Sequence, residues 1–154
     1  MEYDNKSPKL TFTRRRNKAL VVLFTTLAMS TDSLAEIIQI EFTQFDTYSI
    51  EVAHIRVGDT VEWLPTNKGH NVEFLAGPDM SALPAKSIMN EPYSILFEQS
   101  GVYLYGCTPH ANIGMFGLIV VGNDFHNLEN INSVELSKVG KSVLRKLIQK
   151  AKPS

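Results

Sequence analysis

Residues 101–122 read GVYLYGCTPHANIGMFGLIVVG, two apolar segments separated by a loop that contains Cys107, His110 and Met115. Both segments are short and are bounded by glycine, a pattern typical of buried β-strands. The loop therefore connects the ends of two strands, and its side chains can face one point. The sequence has 154 residues, 44% of them hydrophobic and 20% charged, which is the composition of one globular domain.

The chain before this stretch also has the periodicity of β-strands. Apolar residues alternate with polar ones at Ile38 and Ile40. The segment 61–64 does the same and ends at Pro65, because proline lacks the amide hydrogen that a strand ladder needs. Turn-forming residues separate these segments at short intervals. Many short strands with regular turns predict an all-β sandwich or barrel over residues 36–122.

The pattern changes to a helical one in the tail, residues 123–154. Val139, Val143 and Leu147 recur every four residues and would form the apolar face of an amphipathic helix. Asn132 stands at the expected start, where its side chain can cap the first turn. A basic amphipathic helix can bind a membrane or a partner, but packing on its own domain is more common. We therefore predict a helical tail packed on the β-domain.

Residues 1–35 have the layout of a secretory signal peptide. A basic segment precedes the uncharged apolar segment 19–29, and the small residues Ser33 and Ala35 then suit a cleavage site. The apolar segment is too short for a transmembrane helix, which needs about 20 residues. We predict cleavage near Ala35, export to the periplasm and no stable membrane insertion of the mature protein. The alternatives are an uncleaved anchor or a buried core helix.

The net charge and the cysteine content limit the classes of function that fit this sequence. The formal net charge is −1, which gives no reason to expect a nucleic-acid partner. Cys107 is the only cysteine. Exported proteins usually pair their cysteines in disulfides, so a single cysteine is a buried thiol, an intermolecular link or a working ligand.

The residues around Cys107 favour the last of these interpretations. Cys107, His110 and Met115 are spaced as Cys-x2-His-x4-Met, and His70 precedes another predicted strand. In a sandwich the two loops can meet at one end. A thiolate, two imidazoles and a thioether suit copper, because the sulfur ligands favour Cu(I) while imidazole binds both oxidation states. Two histidines and one cysteine with a weak axial methionine form the blue-copper arrangement, which transfers single electrons.

Other chemistries fit this ligand set less well. Zinc rarely uses a thioether as its fourth ligand. A cysteine hydrolase needs a base oriented by a third group, and no residue at a recognisable spacing from Cys107 supplies that third group. A copper enzyme such as a nitrite reductase needs a second metal site, and no second ligand cluster is visible in the sequence, so we do not expect an enzyme. The main alternative is periplasmic copper delivery or storage, although such proteins usually carry open Met- or His-rich tracts.

The segments 65–73, 107–110 and 114–122 resemble those of pseudoazurins, a family of small blue copper proteins of the cupredoxin class. The likeness covers nearly all of residues 36–152. It implies a cupredoxin-like Greek-key β-sandwich with a C-terminal helical extension. It also implies one type 1 copper ion per chain and electron transport in the periplasm.

The resemblance implies a role for each site residue. His70, Cys107 and His110 would be the three strong copper ligands, and Met115 would be a long axial ligand. Asn71 would tie the two ligand loops together through a side-chain hydrogen bond, and bonds of this kind orient the ligands.

The resemblance also implies where partners dock. His110 would be the exposed ligand edge through which the electron leaves, framed by an apolar patch of Pro109, Ile113 and Phe116. Redox proteins such as nitrite reductase or cytochromes would dock there transiently, through small interfaces, and the protein would be a monomer.

The basic residues around the patch depart from the pseudoazurin pattern. Pseudoazurins typically surround this patch with lysines that steer acidic partners. Lys68 and Lys86 remain here, but Gly106 stands before the cysteine in place of lysine. The sequence therefore leaves the acidity of the partner open.

Overall fold

The computed structural model describes Met1 and residues 34–153 of the chain. The described part contains seven strands, one 3-10 turn and two α-helices, with the bounds β1 Ile37–Glu41, β2 Val52–Ile55, β3 Thr60–Leu64, β4 Glu73–Ala76, β5 Tyr93–Leu96, β6 Gly101–Gly106, the turn Ala111–Ile113, β7 Phe116–Val121, α1 Leu128–Ser133 and α2 Lys138–Ala151. The predicted signal peptide, residues 1–35, lies almost wholly outside the described residues.

The strands form two sheets. One has the strand order β1-β3-β5 and the other has the order β2-β7-β6-β4. β1 pairs with β3 and β2 pairs with β7 in parallel, and the remaining pairs are antiparallel. Most neighbours in these sheets are not consecutive in sequence, so the chain crosses repeatedly between the sheets. The predicted all-β sandwich with a helical C-terminal extension is confirmed.

Aromatic side chains fill the space between the two sheets. Trp63 on β3 has no exposed surface. Its ring meets Tyr105 on β6 and Phe74 on β4 edge to face, with centroids 5.2 and 5.9 Å apart. Each such pair adds about 0.5 to 1.5 kcal/mol beyond the burial of apolar area. The packed aromatic layer therefore fixes the spacing of the two sheets and of the loops at their ends.

Strands β6 and β7 are buried on both faces, and every residue in them is buried. One face meets the interior of the sandwich. On the other face, Leu118 and Val120 belong to one apolar cluster with Leu144 and Leu147 of α2. This double burial explains why the sequence of both strands is apolar at nearly every position rather than alternating.

Asn127 joins the tail to β6 beyond the last pairing of that strand with β4. The Val102 amide donates to Oδ1 of Asn127 at 2.8 Å, and Nδ2 of Asn127 donates to the Val102 carbonyl at 2.7 Å. The buried amide side chain thus takes the place of a neighbouring strand and satisfies both backbone groups.

The long helix begins later than the sequence predicted. Ser137 caps α2, since its side chain accepts a hydrogen bond from the Gly140 amide at 2.9 Å. Asn132, the predicted cap, lies inside α1 and donates to the Leu128 carbonyl instead. The helix α1 has six residues, too few to show a helical period in the sequence. Among the described helices, none is long and apolar enough to cross a membrane.

Candidate metal centre

Two neighbouring strands bring the predicted ligands to the same end of the second sheet. β4 and β6 are antiparallel, with Glu73 opposite Gly106. The segment with His70 leads into β4, and the segment with Cys107 leaves β6. Because one strand starts where the other ends, residues 37 positions apart in the chain become neighbours.

Asn71 and Thr108 link these two segments directly. Nδ2 of Asn71 donates to Oγ1 of Thr108 at 2.9 Å, and the Thr108 amide donates to Oδ1 of Asn71 at 2.8 Å. Oγ1 of Thr108 in turn donates to Glu73 at 2.7 Å. The hydrogen bond predicted for Asn71 is therefore present, and it fixes the distance between the two loops.

Three of the four predicted ligands converge in this structure. Sγ of Cys107 lies 3.7 Å from Nδ1 of His70 and 3.5 Å from Nδ1 of His110, and the two nitrogens are 3.1 Å apart. For bonds of about 2.0 Å to nitrogen and about 2.3 Å to sulfur, a trigonal arrangement separates two nitrogens by about 3.5 Å and nitrogen from sulfur by about 3.7 Å. The observed separations are close to these values, so the three atoms fit a single ion.

Met115, the fourth predicted ligand, is held at the end of the same loop. The Cys107 amide donates to the Met115 carbonyl at 3.1 Å, and the Met115 amide donates to the His110 carbonyl at 3.2 Å. Its side chain is buried. These contacts place the residue beside the site, and the axial role of its sulfur stays a prediction.

Gly114 lets the ligand loop lie against the C-terminal helix. Its φ of 100° is in the left-handed region that favours glycine, and an added Cβ would come within 2.7 Å of Val143 on α2. Oγ of Ser137 donates to the Asn112 carbonyl at 3.0 Å on the same side. The helix therefore supports the loop that carries His110 and Met115.

Burial sets the protonation of the metal-free site. Burial raises the pKa of the Cys107 thiol. Burial, followed by the charge of His110, lowers the pKa of His70. Both shifts favour the neutral form, so the metal-free protein holds a thiol and a neutral imidazole at neutral pH. His70 is thus ready to bind a metal ion, whereas Cys107 must first lose a proton.

The predictions around the site were only partly right. Pro109 and Ile113 are exposed beside His110 as predicted. Phe116 was wrongly placed in the surface patch, because it is buried between β6 and α2, close to Gly106. Nothing in its sequence context distinguishes an outward residue from one covered by a helix.

The remaining histidines lie outside the site. His54 is exposed on β2, and His126 pairs with Asp124 at 2.9 Å. The sequence did not identify Asp46, whose Oδ1 lies 3.7 Å from Nε2 of His70 and 3.8 Å from Nδ1 of His110. No motif or spacing points to this residue, because it belongs to a distant turn.

Known proteins are similar to this chain in both sequence and fold. The family model described as copper binding proteins, plastocyanin/azurin family, matches residues 35–122. The chain is 39% identical over 90 residues to pseudoazurin of Methylorubrum extorquens and 35% identical over 91 residues to pseudoazurin of Paracoccus pantotrophus. Each alignment covers 57% of this chain, and they cover 60% and 63% of the relatives, less than two thirds of their length. The crystal structure of pseudoazurin from Methylobacterium extorquens AM1 has a TM-score of 0.68 and 27% identity, covering 75% of this chain and 99% of that one.

The raised pKa of Cys107 predicts that metal uptake releases a proton. Below that pKa, binding of a metal ion by the thiolate must displace about one proton, so affinity should rise about tenfold per pH unit near neutrality. The lowered pKa of His70 means that this residue adds no proton at neutral pH. Calorimetry in buffers of different ionisation enthalpy measures the number released. A Cys107→Ser variant serves as the control, and equal proton release by both proteins would contradict the prediction.

Proposed function

Because the chain belongs to the plastocyanin/azurin family of copper-binding proteins, we propose that it carries single electrons through one type 1 copper ion held by His70, Cys107, His110 and Met115. The observation that carries this proposal is the approach of a sulfur and two imidazole nitrogens to within 3.7 Å of one another. Copper bound by such ligands supplies one-electron redox chemistry.

The protein contributes a ligand set that is held in place. The His110 amide donates to the Cys107 carbonyl at 3.0 Å, which adds to the backbone bonds between Cys107 and Met115. Asn71 connects this loop to the segment with His70. Ligands fixed by so many bonds rearrange little when the charge of the site changes, and a small rearrangement favours fast electron transfer.

The burial of the ligands favours electron transfer over copper delivery. His70, Cys107 and Met115 are 3%, 0% and 1% exposed. His110 is the one predicted ligand that reaches the surface, with 26% of its side chain exposed. A buried ligand set hinders release of the ion to an acceptor, whereas one exposed imidazole edge suffices for an electron to leave. We therefore favour His110 as the exit of the electron.

The copper-loaded protein should show the intense visible absorption of thiolate-to-copper charge transfer. Cys107→Ser should abolish this band, because it removes the thiolate, whereas His54→Ala on the exposed face of β2 should leave it unchanged. Absorption spectroscopy after addition of one equivalent of Cu(II) provides the test. A protein that binds copper without this band would refute the blue-copper proposal, and rapid copper loss to chelators would favour delivery.

We further propose that redox partners dock on an apolar patch formed by Pro109, Ile113 and Val139. Ile113 and Val139 are 60% and 52% exposed. Val139 lies beside Gly114, since an added Cβ there would approach it to 3.6 Å. The patch therefore lies on the loop that carries His110 and extends onto α2.

The C-terminal helix contributes basic charge beside this patch, beginning with Lys138 next to Val139. Lys86 pairs with Glu73 at 3.8 Å and so contributes little net charge. Residues 138–152 contain no acidic residue and six basic ones, which are Lys138, Lys141, Arg145, Lys146, Lys150 and Lys152. We infer that an acidic partner, such as a nitrite reductase or a cytochrome, is steered by the start of this helix.

Charge reversal at the start of α2 should slow electron transfer to an acidic partner. Lys138→Glu should lower the second-order rate at low salt by about two- to fivefold, and the difference should disappear at high salt. Lys150→Glu is the matched control, because Lys150 lies at the other end of the helix and pairs with Glu51. Stopped-flow kinetics with an acidic cytochrome measures both rates, and equal slowing by both variants would contradict the proposed surface.

We also propose export to the periplasm with cleavage after Ala35. The amide nitrogen of Glu36 donates to Oδ1 of Asp59 at 2.8 Å, and Asp59 is buried. Cleavage would convert this amide into an α-ammonium group beside a buried carboxylate. The hydrogen bond to the Asp59 carboxylate would thereby become a hydrogen-bonded ion pair with a charge on both partners.

Asp59→Asn should therefore destabilise the protein that begins at Glu36 by about 1 to 3 kcal/mol at pH 7. Hydrogen bonds from the Glu36 and Arg56 amides lower the pKa of Asp59. Its stabilisation is thus present above the unfolded-state pKa of about 4 and is lost as the pH falls through the lower folded-state value. Urea unfolding at pH 7 and at acidic pH measures this loss of stability, with Glu91→Gln as the control.

Mass spectrometry of the exported protein should find Glu36 at the N-terminus, and a different terminus would contradict the cleavage site.

A further inference from the structure

Asp46 places a carboxylate against both histidines of the proposed copper site. Its Oδ1 lies 3.7 Å from Nε2 of His70 and 3.8 Å from Nδ1 of His110. Both separations are longer than a hydrogen bond, so the interaction is one of charge with the two rings. Within the described part of the chain, no lysine or arginine nitrogen lies within 4.0 Å of this carboxylate.

A tight turn between β1 and β2 holds Asp46 in this position. The Thr43 amide donates to the Thr47 carbonyl at 2.9 Å, and the hydroxyls of the same two residues are 2.7 Å apart. The turn is closed by a bridge between Phe42 and Tyr48. Asp46 itself has a φ of 53°, a left-handed conformation that aspartate tolerates better than most residues. The turn therefore holds the backbone of Asp46 where the side chain reaches the site.

We propose that Asp46 is a positioning residue that supplies a built-in negative charge and lowers the reduction potential of the copper site. This inference rests on the proposed electron-transfer function. With one thiolate and two neutral imidazoles, the site carries one more positive charge with Cu(II) than with Cu(I). A carboxylate beside the ligands stabilises the more positive state more strongly, because the Coulomb energy grows with the charge difference. The oxidised form is favoured as a result.

The exposure of Asp46 sets how this effect responds to salt. Its side chain is 43% exposed, so the carboxylate remains partly hydrated and its field is partly screened. A purely structural contribution to ring orientation would not depend on ionic strength, whereas a charge effect weakens as salt increases. Salt dependence therefore separates the proposed electrostatic role from a structural one.

The test compares Asp46→Asn with Glu98→Gln in the copper-loaded protein at constant pH. Both substitutions remove one negative charge, but Glu98 precedes β6 while the ligands follow the end of this strand, about 20 Å away at roughly 3.3 Å per residue. Asparagine tolerates a positive φ at least as well as aspartate, so the turn should persist. Cyclic voltammetry gives the potential, and competition titrations give the affinities for Cu(II) and Cu(I).

Asp46→Asn should weaken Cu(II) binding about tenfold more than Cu(I) binding, which corresponds to a rise of about 59 mV in potential. The visible band should persist, because all four proposed ligands remain. The shift should shrink at high salt, and Glu98→Gln should change the potential much less. An equal shift in both variants, or a shift insensitive to salt, overturns the proposal for Asp46 while the blue-copper function stands. Absence of the visible band in the unmutated protein overturns the function itself.

Discussion

The antiparallel pairing of β4 with β6 is the constraint on which the rest of the site depends. It sets Glu73 opposite Gly106 and so brings the start of one strand beside the end of the other. The two hydrogen bonds between Asn71 and Thr108 then hold the loops at a fixed separation. The sulfur and nitrogen atoms meet at distances that suit one ion because the strand pairing and these hydrogen bonds set the separation of the two loops.

The helix α2 supports the same site from another side. It packs on the outer face of β7 and on β2, and the sequence already marks β7 as a run of apolar residues. Its side chain Val143 meets the ligand loop at Gly114, where no larger residue fits. One element therefore covers the sheet, supports the ligand loop and places Lys138 next to Val139 of the proposed docking patch.

Much of the fold and of the site could be predicted from the sequence. The four ligand types and their spacing at strand ends indicated copper, and the structure brings His70, Cys107 and His110 together. Short segments of alternating apolar and polar residues, separated by turn-forming residues, predicted the β-sandwich. The predicted start of α2 was wrong because asparagine and serine both cap helices well, so the sequence alone does not decide between Asn132 and Ser137. The surface position predicted for Phe116 was wrong because both faces of its strand are covered, so no polar residues mark which side faces solvent. The position of Asp46 beside the two histidines was not predicted, because it depends on a turn that is distant from them in the sequence.

The double burial of β6 and β7 has a consequence for how the chain reaches its native state. The ribosome makes both strands before it makes α2, so the outer face of the sheet is complete before its cover exists. An apolar sheet face of this kind adheres to other unfinished chains. The last helix is therefore also a safeguard against aggregation, and a premature stop before Leu144 would leave a protein that keeps all four predicted ligands but uncovers the outer face of β7.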